Sequence, residues 1–135
     1  MSGEHYPVLW IGQAAVVTLP AEIDVTNAGT VQDELLAALN QGAILVVADM
    51  STTDFCDSSG VSALVRVFRQ AVASGSVLRL VVSTPSVQRV LSITGVDRVM
   101  EVFSGVAASL ADPFGRPDQV QPDSAIATAD ADGGA

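Results

Sequence analysis

The chain has 135 residues, 49% of them apolar, which suits one domain built around a single core. Fifteen carboxylates stand against six arginines and no lysine. The resulting net charge of −9 argues against DNA, RNA or an anionic membrane surface as partner and favours basic protein surfaces. The lone Cys56 excludes an internal disulfide and suits a reducing compartment, with a buried small side chain beside Phe55 as the expectation.

Tyr6–Ile11 and Ala14–Leu19 are apolar segments joined by Gly12-Gln13. A glycine first in a two-residue connection predicts a type II′ turn, so an antiparallel pair opens the domain. From Asn27 to Gln41 the spacing becomes helical through Ala28, Val31, Leu35, Ala38 and Leu39. Thr26 is the expected cap of that helix and Gly42 its stop. Ile44–Ala48 is apolar without alternation, as in a strand covered on both faces of a parallel sheet. A second helix is predicted over 58–74, with Val61, Leu64, Val65, Phe68 and Val72 turned inward. Val77–Ser83 is a further strand. Thr84-Pro85 reads as cap plus first helical residue of a third helix, with Val87, Val90 and Leu91 inward and Gly95 at its end. Val99–Phe103 reads as a short last strand and Gly105–Ala111 as a final helical turn or two.

Helices that close on glycine before each new strand form repeated strand–helix units. The expectation is an α/β fold: a single mixed β-sheet with an antiparallel opening pair, then parallel β-α units, covered by helices. Residues 1–111 form this domain. Residues 112–135 hold three prolines and five aspartates against one arginine, net −4, and are expected to be a disordered acidic tail. The longest apolar run, Ala43–Ala48, is far short of the ~20 residues a membrane span needs. The N-terminal segment lacks a basic start and a continuous apolar stretch, so a cytoplasmic protein without direct membrane insertion is expected.

The stretch Phe55-Cys56-Asp57-Ser58-Ser59-Gly60-Val61 falls between a buried strand and an amphipathic helix. Ser58 and Ser59 therefore stand at a helix start, among unpaired backbone N–H groups and the positive dipole end. A hydroxyl there can cap the helix, attack a substrate or receive a phosphate. Attack needs a general base, but the only histidine is His5 and no G-x-S-x-G elbow exists. A P-loop requires a lysine, and so do the aspartate-phosphorylation sites that Asp49, Asp54 and Asp57 bring to mind. Asp57 is also explained as a carboxylate favoured beside a helix start. Cys56 lacks a cysteine-phosphatase arginine, since Ser62 holds that position. No enzyme chemistry, metal or cofactor is expected. Ser58, Ser62, Arg66 and Arg69 share the outer face of the helix, as a solvated surface or a docking surface. Ser59 is a candidate capping hydroxyl, and Gly60 permits close packing.

Four ordered blocks carry a resemblance. They are Leu19-Pro20-Ala21-Glu22-Ile23-Asp24 with Asn27-Ala28, Val46-Val47-Ala48-Asp49-Met50-Ser51, Phe55-Cys56-Asp57-Ser58-Ser59-Gly60-Val61, and Leu91-Ser92-Ile93-Thr94-Gly95-Val96. Over residues 6–111 the chain resembles STAS domains of the bacterial anti-sigma factor antagonist type. The resemblance implies a protein without catalysis of its own. Its unphosphorylated form binds a protein kinase that is also the anti-sigma factor, a histidine-kinase-like ATPase, and so releases a sigma factor. It further implies phosphorylation at Ser58, which ends binding, and a serine phosphatase that restores it. Asp57, Ser59 and Gly60 would support the phosphosite, and Glu22, Asp24, Ser58, Ser62 and Arg66 would meet the partner. A constitutive scaffold or a transporter-associated STAS subunit, with Ser58 only a helix cap, is the alternative. Where the family commonly carries glycine before Glu-Ile-Asp, this chain has Ala21.

Overall fold

A computed structural model describes residues 5–111 of the chain. The expected tail over 112–135 lies outside the described residues. Strands β1 (Val8–Ile11) and β2 (Ala14–Thr18) form the opening hairpin, and β3 (Glu22–Ile23) precedes helix α1 (Ala28–Asn40). Then come β4 (Leu45–Met50), β5 (Phe55–Cys56), α2 (Ser58–Ala73), β6 (Val77–Val82) and α3 (Pro85–Thr94). A 3-10 turn (Val96–Arg98), β7 (Glu101–Phe103) and α4 (Val106–Leu110) complete the order.

Five strands form one mixed sheet in the order β1-β2-β4-β6-β7. The β1–β2 pair is antiparallel and every other neighbour is parallel. The hairpin pairs Ile11 with Ala14, and only Gly12 of its two central residues has positive φ, +60°. That is the predicted II′ geometry, which matches the twist of the flanking strands. The short strands β3 and β5 pair with each other in parallel as a separate ribbon. Two residues each are too few to show periodicity, and this ribbon has no signature in the sequence.

Helices α1, α2 and α3 pack on one face of the sheet. There Ala15, Val17, Val46, Ala48, Leu78, Leu80 and Val82 meet Val31, Leu35, Leu64, Val67, Val87 and Leu91 in one buried cluster. The helix α2 turns Val61, Leu64 and Ala71 into that core, whereas Val72 is 61% exposed. The expectation for Val72 is thus corrected: at 100° per residue Ala71 occupies the inward position. Helix α4 covers part of the opposite face, where Val106 and Leu110 pack on Val16, Leu45, Val47 and Val81.

The opposite face also contains Arg79, 1% exposed. Its Nε donates to Glu101 Oε1 at 2.7 Å and its Nη1 to the Ser109 carbonyl at 2.7 Å, while the guanidinium lies 5.4 Å from the centroid of Phe103. One side chain therefore ties β6 to β7 and to α4. A buried guanidinium is tolerated only when its donors are met in this way. We expect Arg79→Ala to cost about 1–3 kcal/mol of unfolding free energy in urea titration, because it leaves the carbonyl of buried Ser109 without its donor while Glu101 can turn to solvent. Glu101→Gln keeps an acceptor for Nε but removes the counter-charge of the buried Arg79 guanidinium, so it should also lower stability in the same titration.

Candidate functional site

The candidate site lies where the parallel strands end. The segments leaving β2, β4 and β6 converge there, held by backbone polar groups that need partners. Thr53, fully buried, donates its hydroxyl to the Pro20 carbonyl at 2.8 Å. Its own carbonyl accepts from Thr84 Oγ1 at 2.8 Å. The Asp54 N–H donates to the Ala21 carbonyl, and the Asp54 carbonyl accepts from Ser86 Oγ at 3.0 Å. Thr53 thus joins three connections, a role that no spacing in the sequence announces. It also corrects Thr84, which occupies the α3 cap position but spends its hydroxyl across the loop rather than on its own helix. Ala21 keeps an ordinary φ, so a glycine is not required there.

The ribbon seats Ser58. Glu22 pairs with Phe55 and Ile23 with Cys56, and the Asp57 N–H donates to the Ile23 carbonyl at 3.1 Å. The helix α2 then begins at Ser58 with Asp57 as its cap. Asp57 Oδ1 accepts from the Ser59 N–H at 2.9 Å and the Gly60 N–H at 3.2 Å. The capping group is therefore the Asp57 carboxylate and not the hydroxyl of Ser58 or Ser59. An extended Asp57 backbone, ψ −172°, aims the carboxylate at those donors. Ser59 supports the turn through its backbone N–H, while Ser58 is exposed at the first helical position.

Gly60 sits where α2 presses on the ribbon. A Cβ built there would lie 2.6 Å from Cys56 Sγ and 2.7 Å from Ile23 Cγ2. The expectation of close packing is fulfilled, and the requirement is absolute in distance, since real Cβ atoms essentially never approach that closely. Cys56 is 2% exposed, and burial first, then the neighbouring Asp57 charge, pushes its thiol up to about 11. It is the small core side chain expected.

The loop between β3 and α1 flanks this site. Asp24 Oδ1 accepts from the Thr26 N–H at 2.9 Å and from its hydroxyl, and these bonds lower the carboxyl below its ordinary range. Asn27 holds the loop closed: its Oδ1 accepts from the Asp24 N–H and its Nδ2 donates to the Glu22 carbonyl. Thr26 is accordingly not the cap of α1; Asn27 stands at that position, and the hydroxyl serves Asp24. Exposed Glu22, half-buried Asp24 and the exposed apolar Phe55 border the Ser58 end of α2, and exposed Val25 follows Asp24 in the loop. Ser62 and Arg66 continue the exposed stripe along α2, and Arg66 Nη1 reaches Gln32 Oε1 on α1 at 3.3 Å. Val61, Ser62, Val65, Arg66 and Arg69 line a shallow depression beside that stripe. Among the described residues no cluster of acidic, histidine or cysteine side chains could hold a metal ion. Among them also, no helix is long and apolar enough to cross a membrane.

The sequence pattern of the STAS domain matches residues 7–109. The chain belongs to the STAS domain family. A Thermotoga neapolitana protein, provisionally named an anti-sigma factor antagonist, is 28% identical over 111 residues, spanning 78% of this chain and 96% of that one. Among solved structures, an anti-sigma factor antagonist from Mycobacterium paratuberculosis superposes with a TM-score of 0.72 at 21% identity, covering 78% and 90% of the two chains. The anti-sigma factor antagonist SpoIIAA in its unphosphorylated form gives 0.66 at 20% identity, covering 87% and 99%. Its phosphorylated form, a Bacillus protein, gives 0.59 at 21% identity, covering 76% and 95%. These likenesses place the mixed sheet and its helices within the STAS fold.

Two measurements test the packing under Ser58. Gly60→Ala forces Ile23 and Cys56 apart, so urea titration should register a loss of about 1–3 kcal/mol, the cost of overpacking. For Cys56, a thiol moved from 9.0 to about 11 holds about a hundredfold less thiolate at pH 8. Iodoacetamide should therefore label the folded protein at least a hundredfold more slowly than the urea-unfolded chain.

Proposed function

We propose that this STAS domain is an anti-sigma factor antagonist whose binding is switched by phosphorylation of Ser58. In this account the unphosphorylated chain binds a kinase that doubles as the anti-sigma factor, a histidine-kinase-like ATPase, and thereby frees a sigma factor. The chain acts by binding rather than by catalysis, in the cytoplasm, and a serine phosphatase resets it. The observation that carries this is the exposure of Ser58 at the first residue of α2, beside a ribbon that brings Glu22 and Asp24 to the same surface.

The local electrostatics explain why a phosphate there acts outward. A phosphate adds about −1.5 to −2 charges and three acceptor oxygens. A vacant helix start would absorb such a group, but here Asp57 already takes the N–H groups of Ser59 and Gly60. The incoming charge instead joins Asp57, Glu22 and Asp24, all acidic, and among the described residues Arg66, the nearest cation on the outer face of α2, lies two turns further along. The fold is spared, because the cap and the Gly60 packing stay intact. The penalty falls on whatever docks over Phe55, Val25 and the Ser62–Arg66 stripe, and each 1.4 kcal/mol of it weakens binding tenfold.

Asp57 fixes the backbone of the helix start from which the Ser58 side chain projects. Ser62 and Arg66 extend the contact, one as a small hydroxyl and the other as a cation suited to a carboxylate of the partner. Incubation with the cognate kinase and ATP should label Ser58, and Ser58→Ala should remove all label. Ser58→Asp should weaken binding to the unlabelled partner by at least tenfold in calorimetry. Label persisting on Ser58→Ala would defeat the assignment, and unchanged affinity of Ser58→Asp would defeat the charge mechanism.

A further inference from the structure

The sheet has two edges of opposite character. The β7 edge is only three residues long and carries Glu101, the short, charged form that discourages pairing with other chains. The β1 edge carries no such device. Val8, Leu9, Trp10 and Ile11 are 42%, 59%, 40% and 47% exposed, an uninterrupted apolar strand on which Val8 and Trp10 line a hollow with Glu34 and Ala37 of α1 while Leu9 and Ile11 face the other side. Residues 6–21 contain no charged side chain in a chain of net charge −9.

The backbone pattern shows what this edge offers. The Thr18 N–H donates to the Pro7 carbonyl, so Pro7 and Thr18 form a bonded pair across the hairpin. Bonded and non-bonded pairs alternate along an antiparallel ladder. Leu9 and Ile11 therefore bond toward β2, while the N–H and C=O groups of Val8 and Trp10 point away from it. Pro7 lies at a position directed toward β2, so its missing donor leaves the open edge intact.

We propose that β1 pairs with β1 of a second copy of this chain, antiparallel about a two-fold axis at Leu9. The outward groups admit this register, which centres the four-residue strand on the axis: Val8 exchanges two hydrogen bonds with Trp10 of the other copy, and Trp10 does the same with Val8. Leu9 then faces Leu9 across the axis on one side of the sheet. Two valine–tryptophan pairs form on the other side, a favourable aromatic–β-branched combination. The arrangement is isologous and closes on itself, as a two-fold dimer must. A second copy is the partner this edge fits: it presents the same uncharged apolar strand with the same outward spacing, so two copies of net charge −9 meet there without a charged side chain of either β1 at the contact. The result is one ten-stranded sheet.

A four-residue strand buries less than the ~1,600 Å² of a standard interface, so dimerisation is expected to depend on concentration. Sedimentation velocity on the full chain, from about 1 μM to about 1 mM, should show a monomer–dimer equilibrium. Leu9→Lys and Leu9→Glu each place like charges on the axis and should be monomeric throughout. Mixing the two variants should restore the dimer, because opposite charges then face each other. Leu9 is exposed, so both variants should keep the wild-type circular dichroism. In wild type, the amides of Val8 and Trp10 should exchange more slowly as concentration rises, while that of Gly95, at the end of α3, should not change. A monomer over the whole range, a dimer that survives Leu9→Lys, or a mixture that fails to reassociate would each overturn the pairing.

Discussion

The arrangement at the end of the sheet depends on the contact of Gly60 with Ile23 and Cys56. With no Cβ at that position, the first turn of α2 lies flush on the β3–β5 ribbon. The contact has two consequences. It draws Glu22 and Asp24 to the start of α2, and it fixes the position from which Ser58 projects. Cys56 contributes as a small, apolar neighbour: its uncharged thiol lets the ribbon bury a polarizable atom at no ionic cost. A larger side chain at either position would move the ribbon and Ser58 apart.

Charge is distributed unevenly over this frame. Of the arginines among the described residues, Arg79 is buried under α4, and Arg66, Arg69, Arg89 and Arg98 lie on α2, α3 and the turn that follows. The exposed cations thus gather on the helical side, while the cap carries Asp57, the ribbon Glu22 and the loop after it Asp24. An acidic end beside a basic stripe gives a docking partner a defined orientation, since reversing it would bring like charges together. Under the proposed switch, a phosphate on Ser58 would sharpen that asymmetry without touching the core.

Much of this was legible in the sequence, and the parts that were not share a physical cause. The strands β2, β4 and β6 are apolar runs, and α1 and α2 show helical spacing, so local pattern suffices for them. Ser58 at a helix start follows from the same pattern. The ribbon escapes because two residues carry no period, and Thr53 escapes because its bonds reach Pro20 and Thr84, both distant in sequence. Arg79 looks like an exposed interruption in Val-Leu-Arg-Leu-Val-Val until Glu101 and the Ser109 carbonyl are brought to it. Among Asp57, Ser58 and Ser59, all residues that suit a helix start, only the backbone angle decides which one caps. The STAS resemblance supplied the proximity of Glu22 and Asp24 to Ser58, which no local property of residues 22–24 contains.

The two surfaces do not compete. The strand β1 runs antiparallel to β2, so a β1–β1 pair sets the parallel strands of one copy against those of the other. The Ser58 site lies past the C-terminal ends of β2 and β4, and in such a dimer the two sites therefore face opposite ends of the extended sheet. Each can take its own partner without the partners meeting. Neither the ribbon nor α2 touches the β1 edge, which is separated from β4 by the whole of β2. On the proposed account, a phosphate on Ser58 would alter partner binding and leave the strand pairing unchanged, so that assembly and switching would be independent.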